Sequence, residues 1–275
     1  MNNQHRTFQR AARLAAVAVL ALLVAATVGC AKLQARDQLN KGMRAYKSAQ
    51  YTQAAEFFKT ACVLDPKLQV ARLYLATAYA QQFIPGAESP ENTQMGQRAI
   101  DEFKKVLVED PSNVNSVAGI ASIYFNMKKL DDAKTWYQKQ IALDPTNPEA
   151  YYSVGVIDWS KAYPERMKAK ADHNIQPDAP IKDAKVREPL CEGNLPIIED
   201  GFKNLNKAVE LRPDYDDAMA YINLMYREKA DCEGDTEARN KLIITANEWV
   251  DKLMKVKKKK AEAAEKTGGG IVTGQ

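Results

Sequence analysis

Histidine is nearly missing from this chain: among 275 residues there are two, His5 and His173. No HExxH pair, no nucleophile elbow and no paired-cysteine metal frame occurs, so the usual layouts of zinc and acyl-transfer chemistry are absent. No glycine-rich loop precedes a helix; Gly268, Gly269 and Gly270 stand together, but in the C-terminal tail. Carboxylates are plentiful, yet they fall on helical faces and near helix starts, where acids usually serve structure. Nothing proposes a catalytic residue, a cofactor, a metal or a small-molecule substrate, and the chain reads as non-enzymatic. Strand-like alternation is missing too, whereas alanine, leucine, lysine, glutamate and glutamine abound, which makes an all-α fold the expectation.

Charge of one sign is also scarce once position is considered. The formal net charge of +4 is concentrated at the two ends. Arg6, Arg10 and Arg13 lie in the first thirteen residues, and residues 255–275 carry six lysines against Glu262 and Glu265. The body between is slightly acidic, so the broad basic footprint of a nucleic-acid binder is absent. The tail "KVKKKKAEAAEKTGGGIVTGQ" has few apolar residues and is expected to be a frayed helix end followed by disorder, mostly disordered over 255–275.

Long apolar runs are confined to one place. Leu14 to Gly29 is uncharged and almost wholly apolar, too short for a comfortable membrane span and the right size for a secretory signal. It ends in Thr27-Val28-Gly29-Cys30, which resembles a bacterial lipobox, although Thr27 departs from the usual leucine. The reading is a signal peptide over 1–29, lipidation at Cys30 and a short tether over 30–34. An ordinary cleaved signal or an uncleaved anchor are the alternatives. By analogy Ala31, which is not aspartate, favours the outer membrane, facing the periplasm of a bacterial envelope.

What the chain has in abundance is a recurring phrase. Pro66 ends "YTQAAEFFKTACVLDP", Pro145 ends "LDDAKTWYQKQIALDP" and Pro213 ends "IIEDGFKNLNKAVELRP". Twelve residues before each proline stands a small residue (Ala54, Ala133, Gly201), and eight before stands a bulky one (Phe58, Tyr137, Leu205). Pro111 adds a fourth copy with Ala99 and Phe103, and Pro145 follows it by 34 residues. Residues 35–230 therefore resemble a tetratricopeptide-repeat protein, whose unit is a helical hairpin that buries its apolar face only by stacking. The resemblance implies a right-handed α-solenoid of about five hairpins over 35–254. The repeats fall at about 35–68, 69–113, 114–147, 148–215 and 216–254. Repeat two carries an insertion after Tyr79, in which Pro85-Gly86 breaks one helix and Ser89-Pro90 starts the next. In repeat three, Asp131 is placed to cap the second helix. Repeat four carries a polar, proline-bearing insertion over about 160–196 that is expected to project, in part as helical extensions; two complete repeats are the alternative.

Family positions on the first helix of each repeat line an inner groove. Carried over, they place Arg36, Met43, Tyr46, Lys47, Thr77, Ser122, Phe125, Asn126, Tyr152 and Trp159 there as partner-binding residues. Leu39 and Met43 stand where a lysine–asparagine clamp for a partner's terminal carboxylate would begin, which argues against that use. Tyr46, Phe125 and Trp159 share one phase, an aromatic stripe suited to an extended or helical peptide; packing between repeats is the plainer reading. Cys191 and Cys232 lie nearly symmetrically about the turn at Pro213 and are expected to form a disulfide, against free thiols or a metal pair; Cys62 reads as an apolar filler. The expected function is a lipid-anchored adaptor that docks protein or peptide partners in the envelope. A cell-wall or glycan-binding module is the alternative.

Overall fold

The computed structural model describes residues 30–268; the expected signal segment 1–29 and tail residues 269–275 lie outside them. All regular structure among the described residues is helical, in accord with the all-α expectation. In chain order the helices are α1 (30–47), α2 (Tyr51–Leu64), α3 (Gln69–Gln82), α4 (Pro90–Glu109), α5 (Val114–Asn126), α6 (Leu130–Leu143), α7 (Pro148–Asp172), α8 (Ala184–Leu211), α9 (Asp216–Ala230) and α10 (Thr236–Gly268). They form two compact units, Met1–Ile123 and Tyr124–Gln275.

In the first unit the recurring small and bulky residues meet. A Cβ placed on Gly42 would stand 2.5 Å from the Phe58 ring, and one on Gly119 would stand 2.6 Å from Phe103. The bare Cα atoms let α1 approach α2 and α5 approach α4. Phe58, Ala54, Ala55, Ala45, Leu75 and Ala78 make one buried cluster, with the half-buried Cys62 against it. The turns repeat as well. Oδ1 of Asp65 accepts the amide of Lys67 at 3.2 Å, and Oδ1 of Asp110 accepts that of Ser112 at 3.2 Å. Such Asx turns explain why aspartate precedes Pro66 and Pro111. The insertion between α3 and α4 folds around Asn92, which exchanges bonds of 2.7 and 2.8 Å with the backbone of Ile84. Ser89 caps α4, accepting the Asn92 amide at 3.1 Å, with Pro90 in the first turn.

Two expectations change at the chain's ends. Residues 30–34 are not a tether but already helix, the start of a run of good helix formers that buries Ala35. The lysine-rich tail is not mostly disordered: α10 continues to Gly268. Its alanines, lysines and glutamates favour helix, and Lys260 reaches Asp216 of α9 at 2.7 Å.

The second unit centres on α7 and α8, of 25 and 28 residues. Most of the segment 160–196 lies within these helices, with 173–183 as the only connection between them. Pro164, Pro189 and Pro196 sit inside the helices on exposed positions, on the solvent side, where a missing backbone hydrogen bond costs least. Nor does the extension project free. Lys170 is 1% exposed and spends its ammonium on the carbonyls of Pro177 and Ala179, each at 2.9 Å, and on Asp231 at 2.5 Å. Arg166 bonds Glu228 at 2.7 Å and Asp231 at 2.9 Å. Asn194 of α8 donates to the Ala162 carbonyl of α7 at 3.0 Å. Cys191 and Cys232 are disulfide-bonded, joining α8 to the turn after α9. Asp131 is not the cap of α6: Lys129 holds that position, and Asp131 in the first turn pairs with Lys161 at 2.6 Å.

Reducing the disulfide, or replacing Cys232 by serine, is expected to lower stability by about 2–4 kcal/mol, since the bond closes a 41-residue separation. Denaturant unfolding with and without reductant checks the loss. Hydrogen exchange should locate the loosening in 173–196 and 231–235; an unchanged midpoint would contradict the pinning role.

Candidate functional site, an aromatic ladder on α7 and α9

The residues placed in the groove by resemblance divide between the two units. In the first, Tyr46 is half-buried, with its ring edge-on to Tyr51 at 5.2 Å and to Tyr74 at 6.4 Å. Met43 packs against the Phe58 cluster, and the Thr77 hydroxyl donates to the Leu73 carbonyl at 2.8 Å. Arg36, Lys47 and Ser122 are exposed. In the second unit Phe125 and Asn126 are half-buried at the end of α5, and the Lys128 ammonium lies 6.0 Å from the Phe125 ring.

Tyr152 and Trp159 are brought together with rings that the family positions do not include. Tyr215 and Tyr152 are 5.0 Å apart between centroids, Tyr152 and Tyr221 5.7 Å, Tyr221 and Trp159 5.4 Å, and Trp159 and Tyr163 4.8 Å. Five rings thus form a continuous ladder. Tyr221 stands edge-on to both Tyr152 and Trp159, the arrangement that ring quadrupoles favour. Spacing explains the register: Tyr152 and Trp159 are seven apart, two turns on one face of α7, and Tyr221 of α9 enters between them. Tyr215 is buried in the turn before α9, whereas the other four rings are half-exposed.

Charge shapes the ladder's ends. Glu149 accepts from the Tyr215 hydroxyl and from Arg212, the latter at 2.7 Å. Burial works against its charge, but these two bonds outweigh burial and hold its carboxyl below the usual range. The Tyr152 and Tyr221 phenols are pushed up, chiefly by burial and also by the Asp217 carboxylate. All of these phenols are neutral donors at neutral pH.

A polar contact of α7 with α6 shows as a break in the repeat phase. Tyr79, Tyr124 and Tyr226 each stand ten residues after the start of their helix; in α7 that place belongs to Asp158. Its side chain is wholly buried, and Lys134 of α6 bonds it at 2.6 Å while also bonding Asp200 of α8 at 2.8 Å. Burial pushes the Asp158 carboxyl up to about 6, against the pull of Lys134.

Residues 121–160 match the TPR repeat family. A crystal structure of the MamA protein superposes with a TM-score of 0.58 at 17% identity, over 83% of this chain and 94% of that one. The fold is that of a tetratricopeptide-repeat protein. A second TPR protein, YrrB, described as having an unusual peptide-binding site, superposes with a TM-score of 0.52 at 16% identity, over 80% of this chain and 84% of YrrB. The protein O-mannosyl-transferase Tmtc3 of Drosophila melanogaster is 26% identical over 177 residues. That match covers 64% of this chain but 17% of Tmtc3, so it bears on a small part of the transferase. At these identities the likeness is one of TPR architecture.

The raised Asp158 carboxyl gives this TPR fold a defined pH signature. Below the ordinary carboxylate pKa of about 4 the group is protonated whether folded or unfolded; above about 6 it is ionised in both states, and the native state bears the cost of burial. Its contribution therefore falls as pH rises from about 4 to about 6 and is level beyond. Subtracting the unfolding free energy of Asp158→Asn from that of the wild type should give a difference that drops across this window, by up to roughly 3 kcal/mol. A difference flat with pH would overturn the assignment.

Proposed function

We propose that the protein is a non-catalytic docking adaptor, and that the ladder face of α7 and α9 is its main contact with a segment of a partner protein. The observation that carries this reading is a run of five touching rings, four of them half-exposed, built around Tyr152 and Trp159, the two that stand where TPR resemblance places the partner groove. Aromatic surface of this kind supplies large contact area with few rotamers to freeze. YrrB, of similar fold, is described as having a peptide-binding site.

The proposal extends to place. Cys30 is exposed at the head of α1, and its lipidation would tether the adaptor to a bacterial membrane, the outer one facing the periplasm. The Cys191–Cys232 bond accords with this, because such bonds persist in oxidising compartments. Confinement at the membrane raises the local concentration of envelope partners without any new contact, which suits the assembly or organisation of an envelope complex.

Cross-linked capture from solubilised envelopes tests the docking. Wild type should retain a discrete partner that Tyr152→Ala and Trp159→Ala lose by more than tenfold while both variants keep a cooperative unfolding transition. Equal retention by folded variants would sink the groove; a glycan role would instead show as salt-sensitive sedimentation of pure wild type with sacculi. For the anchor, Cys30→Ala should move the protein from the membrane to the soluble fraction and abolish labelling by a fatty-acid analogue. Unchanged fractionation would refute it.

A further inference from the structure

The two ends of the ladder already carry guanidinium groups. Arg212 lies 4.4 Å from the Tyr215 ring centroid, and Arg166 lies 5.4 Å from that of Tyr163. Each is backed by carboxylate: Arg212 by Glu149 at 2.7 Å, Arg166 by Glu228 at 2.7 Å and by Asp231 at 2.9 Å. The same three-part motif therefore occurs twice: a tyrosine face, a guanidinium over it, and an acid behind.

The middle of the ladder has two of the three parts. Tyr152, Tyr221 and Trp159 are half-buried, and among the described residues no lysine or arginine lies over any of their rings. The acid is Asp217, exposed and without an ion pair among the described residues, while its neighbour Asp216 takes Lys260. Asp217 stands four residues before Tyr221, one turn away on the same face of α9. Its charge reaches both Tyr221 and Tyr152, adding to burial in raising their phenols. A partner cation here would meet ring faces and a carboxylate, as Arg212 does at Tyr215. Arginine suits the place better than lysine, because its planar, weakly hydrated guanidinium stacks on rings and still donates sideways to an acid.

We propose that Tyr152, Tyr221, Trp159 and Asp217 form a docking site for an arginine side chain of the partner segment. This deepens the docking reading above and rests on it. Occupation would give the ladder a third guanidinium, supplied in trans, between the two of its own.

The test selects random dodecapeptides by display on the immobilised full chain, then measures the winners by calorimetry as synthetic peptides. The selected peptides should share an arginine whose replacement by citrulline, of similar shape without the charge, weakens binding by about tenfold. Asp217→Asn, a change at an exposed position, should weaken the arginine peptide similarly and leave the citrulline peptide nearly unaffected. Tyr221→Phe, which keeps the ring, should bind as wild type. If winners lose affinity with Trp159→Ala but are indifferent to citrulline and to Asp217→Asn, docking stands and the arginine site is wrong. If no peptide is selected, the docking reading itself fails and the arginine site with it.

Discussion

The second unit depends on one close approach, that of α7 to α8 at Gly155. A Cβ there would collide with Leu205, which is itself wholly buried, so the missing side chain sets how near the two long helices lie. Because interiors pack at crystal-like density, that spacing propagates. Leu205, Phe202 and Ile198 of α8 join Ala218, Ile222 and Met225 of α9 in one cluster, and Tyr152, Trp159 and Tyr221 pack on its rim. With α7 and α9 fixed against the same core, Tyr221 is delivered between two rings that lie two turns apart. The ladder is thus a consequence of helix spacing, and its rings are half-exposed because the core beneath them is already full.

Buried charge is the second constraint. Lys134 is shared by Asp158 and Asp200, Arg166 by Glu228 and Asp231, and Asp231 also takes Lys170. Such networks add little net stability over well-packed apolar groups, but deleting a single member leaves an uncompensated charge at a cost of several kcal/mol. Their directionality is what an apolar contact lacks. Lys170 has three acceptors for three hydrogens, two of them carbonyls of the 173–183 connection, so it fixes both the loop's path and the end of α9. The disulfide at Cys191 and Cys232 closes the same corner covalently.

Much of the architecture was legible because repeats impose phase. The small and bulky positions counted back from each proline include Phe58, Phe103 and Leu205, the residues found against Gly42, Gly119 and Gly155. Periodicity was silent where function departs from repetition. The prolines of the segment 160–196 did not show how far the helices run: Pro164, Pro189 and Pro196 sit on exposed positions inside α7 and α8. Of the ladder, Tyr152 and Trp159 were reachable through family positions. Tyr215 lies in a turn, Tyr163 lies beyond the repeat's usual first helix, and Tyr221 is off the inner-position list, so only the fold shows that they touch. Asp158 carried a signal that was available: a carboxylate at the place held by tyrosine in α3, α5 and α9.

The central claim is that a partner segment lies on the ladder face of the second unit. Its most direct test is a photo-reactive benzoylphenylalanine placed at Tyr221 of the full chain, irradiated in intact cells, with the same probe at Val63, an exposed apolar residue of α2, as control. The account predicts one discrete adduct from position 221, its cross-linked peptide traceable to a single stretch of one protein, and none from position 63. Adducts of equal yield from both positions, or from Val63 alone, would contradict it.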